Sequence, residues 1–538
     1  MAKLGRARQA QMMRASQVIT APQSLPPPLK GWNARDPYES MDPQDAAVLD
    51  NWYPDYGGCV SRDGCNFFAA TDRVHPVQTL AVWRHGSASA LVAASNGNFQ
   101  DVSAGGLNRP TIGSGFTSNW WAWVNFNGRL FLANGIDPPQ VWTGTGSVAA
   151  AALTLDTTAG FPANYINALN GVAVRHNRLF FWTNRDCGFW YGPLLGIAGT
   201  LSYFDFSQSV PSGAAVIGID VLTYDGGTGI ADYTVFLLST GEMLTYQGTD
   251  PTNPSNWALV GLYTIAAPVG GAEVSGLTSY PNRGYFRYGG DVYVITASDH
   301  SKMSQLITAL KLGQMPPRSK VSQAVVDAVA AGNELPGWQI IYWGARRRLI
   351  FNIPNPDGTF DQHIYNPALD AWARYKGIPA ICWAVWQNRL FFGTPQGVVC
   401  EHGVGASDIL AYQQNTVIPI SVYGQQAWNL FETPLEKRVA AIRPVIQAQG
   451  DAVAHVSLGF DYGPLGAVTV DVNEAASASP WDTSPWDTSP WSSETAVSSE
   501  WHIAGGDGSA ISVAVAAYGL KRLTWVRTDF RLEPGKAL

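Results

Sequence analysis

Along most of this chain, polar and apolar residues alternate in short runs broken by turn-forming residues. This is the pattern of half-buried strands joined by tight hairpins. One phrase returns four times: Asn127-Gly128-Arg129-Leu130-Phe131, Asn177-Arg178-Leu179-Phe180, Arg347-Arg348-Leu349-Ile350 and Asn388-Arg389-Leu390-Phe391. Each is a polar turn, an arginine, and then a strand apolar on both faces. The arginines at 129 and 178 are 49 residues apart and those at 348 and 389 are 41 apart, a spacing that fits propeller blades. A small sheet cannot bury both faces alone, so blades stack on copies of themselves. The blade-core positions are therefore Arg129, Leu130, Phe131, Arg178, Leu179, Phe180, Arg348, Leu349, Ile350, Arg389, Leu390 and Phe391.

Seven such patterns fit between residues 77 and 405, at 77–102, 120–142, 172–206, 216–246, 257–296, 338–365 and 381–402, so the fold class is mainly β, a β-propeller of six to eight blades. Between the fifth and sixth the period changes. Leu306 and Leu310, then Val321, Val325 and Val329, recur at four-residue steps, predicting a short helical insertion at about 301–332. After residue 405 the phrase stops, and alternating runs at 417–470 and 497–533 predict a C-terminal β-sandwich-like domain, residues 406–538. Residues 1–30 form a basic arm and a proline-rich leash, and 31–76 a lead-in segment. There Asp42 followed by Pro43 predicts a helix from residue 43 to about 50.

Composition sharpens this picture. Hydrophobic residues make up 46% of the 538 and charged residues only 14%, with 55 glycines and 21 tryptophans, as expected of turn-rich β structure with aromatic cores. Net charge is −7, yet residues 1–30 carry +5 through Lys3, Arg6, Arg8, Arg14 and Lys30, leaving −12 elsewhere. An acidic body argues against wrapping nucleic acid by phosphate neutralisation. The five cysteines are scattered and read as free thiols. No apolar run of about 18 residues is present to span a membrane.

Chemical motifs are sparse. The sequence has no HExxH, GxSxG, phosphate loop or GxGxxG, which leaves no catalytic, cofactor or metal assignment. Asp220, Asp225 and Asp232 are a weak candidate for the paired carboxylates of a glycosidase. Residues 355–361 gather oxygens but lack calcium-loop spacing, so a hairpin turn is expected there. Trp120, Trp121 and Trp123, with Trp383 and Trp386, suit either sugar stacking or blade cores. The oddest segment repeats Ser-Pro-Trp-Asp-Thr and places Trp481, Trp486 and Trp491 at five-residue steps. An odd step alternates faces on a strand, and the prolines forbid a helix. These tryptophans are candidate subunit-interface anchors.

Several stretches taken in order resemble a known family. They are GWNARDP…MDPQDAAVLDNWYP at the start, GWQIIYW…RRRLIFNIPNPDG…QHIYNPALDAWARYKGIPAICW…QNRLFFGTPQGVVCEHG, NLFETPLEKRVAAIRPVI, the SPWDT run and the closing 530–538. Together they are similar to the tail nozzle, or tail hub, proteins of short-tailed bacteriophages, over nearly the whole chain. The resemblance implies a structural virion protein rather than an enzyme, assembled in the host cytoplasm. Six copies would form a ring below the tail adaptor protein, a conduit for genome ejection. Double-stranded DNA would pass transiently without sequence-specific binding, and tail fibres or spikes are possible neighbours. Lys3, Arg6, Arg8 and Arg14 become candidate contacts to adaptor or DNA. The alternative is a receptor- or glycan-binding, or glycan-degrading, tail propeller.

Overall fold

The computed structural model describes residues 22–535 apart from 108, 226–229, 271–272, 275–277, 412–416, 449–451, 475–495 and 499. The chain divides into two compact units, residues 63–417 and the two flanking stretches 1–62 and 418–538.

The larger unit is a seven-bladed β-propeller. Blade one runs Thr79–His85, Ala88–Ser95, Asn98–Asp101 and Thr111–Ser114, each strand antiparallel to the next. Blade two is Ala122–Phe126, Arg129–Ala133, Gln140–Trp142 and Ala149–Ala150. Blade three uses Gly171–Arg175, Arg178–Trp182, Gly188–Tyr191 and Gly199–Asp205, with Leu153–Leu155 added parallel at its edge. Blade four is Val216–Asp225, Ile230–Leu238, Glu242–Gly248 and Trp257–Thr264. Blade five has, among the described residues, three strands, Tyr285–Tyr288, Asp291–Ile295 and His300–Lys302. Blade six is Gln339–Trp343, Arg348–Pro354, Phe360–Asn366 and Ala371–Tyr375. Blade seven takes Cys382–Trp386, Arg389–Gly393 and Val398–His402, and its outer strand is Cys65–Ala70 from the start of the unit.

The first strands of successive blades touch in a closed cycle. Thr79–His85 meets Ala122–Phe126, and the contacts pass through Gly171–Arg175, Val216–Asp225, Tyr285–Tyr288 and Gln339–Trp343 to Cys382–Trp386, which meets Thr79–His85 again. Seven sheets around one axis, closed by a strand from the opposite end of the unit, is the propeller's answer to exposed sheet edges.

Local sequence explains the inner hairpins. Asn127-Gly128, His176-Asn177 and Gln387-Asn388 hold positive φ at both turn residues. That is the twist-matched two-residue hairpin turn, and Asn and Gly tolerate its left-handed backbone best. The recurring arginine is the first residue of the strand that follows. Leu130, Phe131, Leu179, Phe180, Leu349, Ile350, Leu390 and Phe391 are all buried. They pack into the cores between blades, as where Phe180, Phe189, Val216, Phe236 and Trp257 join blades three and four.

The helical insertion is present as Met303–Lys311 and Ser322–Gly332. Met303, Leu306 and Ile307 pack on Val292 and Val294 of blade five and on Leu222, Val235 and Leu237 of blade four. Several boundaries differ from the sequence pattern: Cys65–Ala70, placed in the lead-in segment, belongs to blade seven, and Ala371–Tyr375, beyond the sixth pattern, belongs to blade six. Trp257–Thr264, expected to open the fifth blade, is instead the outer strand of the fourth, paired from Glu242↔Thr264 to Gly248↔Trp257.

The smaller unit is a sandwich of two sheets. One runs Trp52–Asp55, Gly58–Ser61, Leu523–Pro534, Lys437–Ala448 and Ala496–Ser498, with Gln23–Leu25 also paired to Leu523–Pro534. The other runs Gly31–Trp32, Asp45–Asp50, Ile418–Gln426, Ile511–Gly519, Ala452–Phe460 and Gly466–Glu474. They meet across fully buried Trp52 and Trp525, whose rings lie 6.2 Å apart. Gly424 eases that contact, because a Cβ would stand 3.0 Å from Trp52 and 3.2 Å from Trp525 and the rings would have to give way.

The helix expected from residue 43 is a strand, Asp45–Asp50. Asp42 does accept a local bond, from the Gln44 backbone amide at 2.9 Å, but it shapes a turn rather than a helix start. The strand is then fixed by partners on both sides, Gly31–Trp32 in parallel and Ile418–Gln426 antiparallel. Long-range pairing overrides the local capping signal.

Candidate functional site

A concavity lies on the propeller axis. It encloses about 440 Å³ and is lined by the first strands and their approaches in blades one, two, three, five, six and seven. Its closed end is built by Pro281-Asn282-Arg283, which leads into blade five. Arg283 reaches across the axis and donates to Gln78 O (3.1 Å), Thr79 Oγ1 (2.7 Å) and Trp121 O (2.7 Å), on the approaches to blades one and two. Its guanidinium also sits 5.4 Å from the ring centre of Trp120. Beside it, Tyr280 O accepts from Asn170 (3.2 Å) and Asn184 (3.0 Å) of blade three. Four blades are thus stitched together by one short segment. Burial pulls the Arg283 pKa down to about 10, the direction expected of a desolvated cation with no carboxylate beside it.

Two amides tie neighbouring inner strands. Asn125 donates to Val82 O (2.7 Å) and accepts from the Arg84 amide (3.0 Å), so blade two grips blade one. Gln339 does the same from blade six to blade seven, donating to Trp383 O (2.9 Å) and accepting from Trp383 N (2.8 Å). No carboxylate among the described residues lines the cavity, and Arg84 stands exposed within it.

The residues singled out in sequence fall as follows. The four phrase arginines share a position but not a role. Among the described residues Arg129 bonds only its own turn, at Asn127 O (3.3 Å). Arg178 reaches Asp250 (3.1 Å), Arg389 forks onto Glu401, and buried Arg348 bonds Asp63 (3.0 Å) and Tyr375 Oη (3.0 Å). Trp121 packs against Phe99 and Phe116, and Trp386 against Phe391, as blade core; Trp123 is half-buried and lines the cavity. Asp220 pairs with Arg175 at 2.8 Å, and its burial raises its pKa. Asp232 is held by Thr223 Oγ1 at 2.5 Å. At 355–361 Asp357 binds Thr359 N (2.9 Å) and Oγ1 (2.6 Å) in a hairpin turn. Among the described residues no group of side chains gathers that could hold a metal ion. Trp481, Trp486 and Trp491, and Lys3, Arg6, Arg8 and Arg14, lie outside the described residues.

Sequence reasoning missed Arg84, Asn282 and Arg283. Pro-Asn-Arg-Gly reads as an ordinary turn. The one available signal was its place immediately before an inner strand, where a side chain faces the axis.

Two buried histidines were also missed. His300 Nε2 and His363 Nδ1 are 3.0 Å apart, joining blades five and six. His300 is stacked between Phe351 (4.2 Å) and Trp372 (5.2 Å), and its burial drops its pKa to about 3. A contact at 3.0 Å between ring nitrogens holds one proton, so the pair is kept from full protonation.

Fold and site define a seven-bladed propeller joined to a β-sandwich. No protein-family model and no curated protein sequence matches the chain. Among solved structures it is similar to the extracellular domain of the one component system BT4673 from B. thetaiotaomicron, at 12% identity and a TM-score of 0.39. That match covers 63% of this chain and 39% of that one. It is also similar to BBS1N in complex with ARL6DN (12% identity, TM-score 0.36, 65% of this chain and 99% of that one). A third likeness is to a protein named as a 6-phosphogluconolactonase from Bacteroides uniformis (13%, TM-score 0.33, 58% and 87%). Likenesses this distant assign neither activity nor partners.

Proposed function

We propose that this chain is a structural protein of a short-tailed bacteriophage particle, the tail nozzle or hub ring beneath the adaptor, and not an enzyme. The supporting observation is how the polar groups of the propeller are spent. Arg283, Asn125 and Gln339 tie blade to blade across and around the axis, and Arg175–Asp220, Arg348–Asp63 and His300–His363 stitch neighbouring segments. This suits a part that must resist deformation. The stitched axis is far too narrow for a duplex, so DNA would run between copies, along a lumen of six chains. A body carrying −12 outside its first 30 residues would repel phosphates from such a wall and let the duplex slide.

The decisive experiment is imaging of the native particle with this protein labelled. The expected result is a six-fold density directly below the adaptor. Label elsewhere on the particle, or turnover of a substrate by the purified chain, would overturn the proposal. A receptor- or glycan-binding tail propeller draws its support from a different observation, the half-buried Trp123 in the axial cavity.

A further inference from the structure

The axial cavity has two features that blade stitching leaves unexplained, and neither depends on the ring assignment. The first is charge. Two guanidiniums face the cavity and no carboxylate among the described residues does. Arg283 bonds Thr79 at the closed end, while Arg84 lies five residues further along the same strand, about 16 Å towards the open end. Arg283 uses three of its five N–H donors on protein acceptors, which leaves two.

The second feature is the lining beyond Arg283, whose two remaining N–H donors have no carboxylate beside them among the described residues. Above them the wall turns aromatic, with Trp123 and Tyr342 half-buried against the space. The 440 Å³ volume lies within the usual range of about 300–1,000 Å³ for small-molecule sites.

We propose that this cavity binds a small ring-bearing carboxylate of the acidic-sugar class. The carboxylate sits on Arg283, and the sugar ring lies against Trp123 and Tyr342. A monoanion matches two N–H donors on one desolvated charge, whereas a phosphate dianion asks for more of both. The apolar face of a pyranose suits an aromatic wall, and the Asn125 oxygen, which accepts one bond, keeps a second lone pair for a hydroxyl. Arg84 at the open end steers the anion inward. With no carboxylate pair in the cavity, the site binds and does not hydrolyse.

The test is calorimetric titration of the full chain with glucuronate, glucose and sulfate. Saturable binding of one glucuronate per chain is expected, with glucose and sulfate at least about tenfold weaker. Exposed Arg84→Gln should weaken glucuronate about five- to tenfold and flatten its salt dependence. Trp123→Leu, checked for folding by circular dichroism, should weaken it further. Absence of saturable glucuronate binding by the natural chain overturns the proposal, as does sulfate or glucose binding equally well. Unchanged affinity in Arg84→Gln and folded Trp123→Leu places any binding elsewhere and overturns it too. None of these outcomes depends on where the protein sits in a particle, so failure here leaves the ring proposal standing.

Discussion

The two units bury sheet faces by opposite use of the chain. In the propeller nearly every strand pairs with one that follows within a few residues, through turns such as Asn127-Gly128 and Gln387-Asn388. In the sandwich the decisive partners come from the two ends. Asp529 is almost fully buried and takes bonds from Ser24 (2.6 Å), from Arg443 (2.8 and 2.6 Å) and from Arg527 (3.2 Å), with Ser24 and Asp529 505 positions apart in the chain. Burial alone would push the Asp529 pKa up, yet the Ser24 hydroxyl and the two guanidiniums outweigh it and the group stays below the usual carboxylate range. The lesson is that one chain can hold a locally coded unit inside a non-locally coded one. Damage to each should then show differently.

The largest expected effects are cavities in the two cores. Phe180→Ala in the propeller and Trp525→Ala in the sandwich, both at 0% exposure, should each cost about 3–5 kcal/mol. Denaturant unfolding measures the loss. If both units fold by the contrast drawn here, Trp525→Ala also slows refolding more, because its sheet must first close far longer loops. Equal refolding rates would break the comparison.

Next comes Arg348→Ala. It removes the nearer of two guanidiniums on Asp63, leaving Arg346 at 3.5 Å, and takes the donor from Tyr375 Oη; a loss of up to about 3 kcal/mol is expected from the same unfolding curves.

The histidine pair gives a smaller, pH-dependent term. His300 is held neutral when folded, its pKa near 3, but titrates near 6.5 when unfolded. The unfolded state therefore binds more protons below about pH 6.5, and stability falls with acid through the window from about 6.5 to 3. The slope is about 1.4 kcal/mol per pH unit for this group. His300→Phe, which keeps the stack on Phe351 and Trp372, should flatten part of the fall when urea midpoints are compared at pH 7 and 4.5. An identical pH dependence in the variant would count against it.

The smallest effect belongs to Arg389→Ala, the same phrase position as Arg348. Its side chain is 42% exposed, so losing the Glu401 fork should cost less than about 1 kcal/mol, and added salt should erase the difference.

These contrasts also mark what the sequence could reveal. Blade phrases were legible because hairpin turns need Asn or Gly at positive φ and the strands beside them alternate. The helices at 303–311 and 322–332 showed their four-residue apolar step. Blade five was blurred because its turn is Gly289-Gly290, with no arginine after it, and because blade four returns through Asp250–Asn256 to an outer strand that mimics a new start. Strand 45–50 was unreadable from its neighbours, since its partners at 418–426 lie hundreds of residues away. At the axial cavity the tryptophans were visible as candidates, whereas Arg283 became meaningful only when its reach to Thr79 and Trp121 was known.

Ring closure by Cys65–Ala70 carries a consequence for synthesis. Cys65 ends 3.3 Å from His402, its neighbour on the last blade, 337 residues downstream. At about 5–20 residues per second, the ribosome needs roughly 20–70 s to deliver that partner. Until then six blades have accumulated beside an unclaimed edge, open to any passing strand from another nascent chain. The short and partly polar Cys65-Asn66-Phe67 offers such a strand little to pair with, and yield in a cell-free system should depend on translation speed.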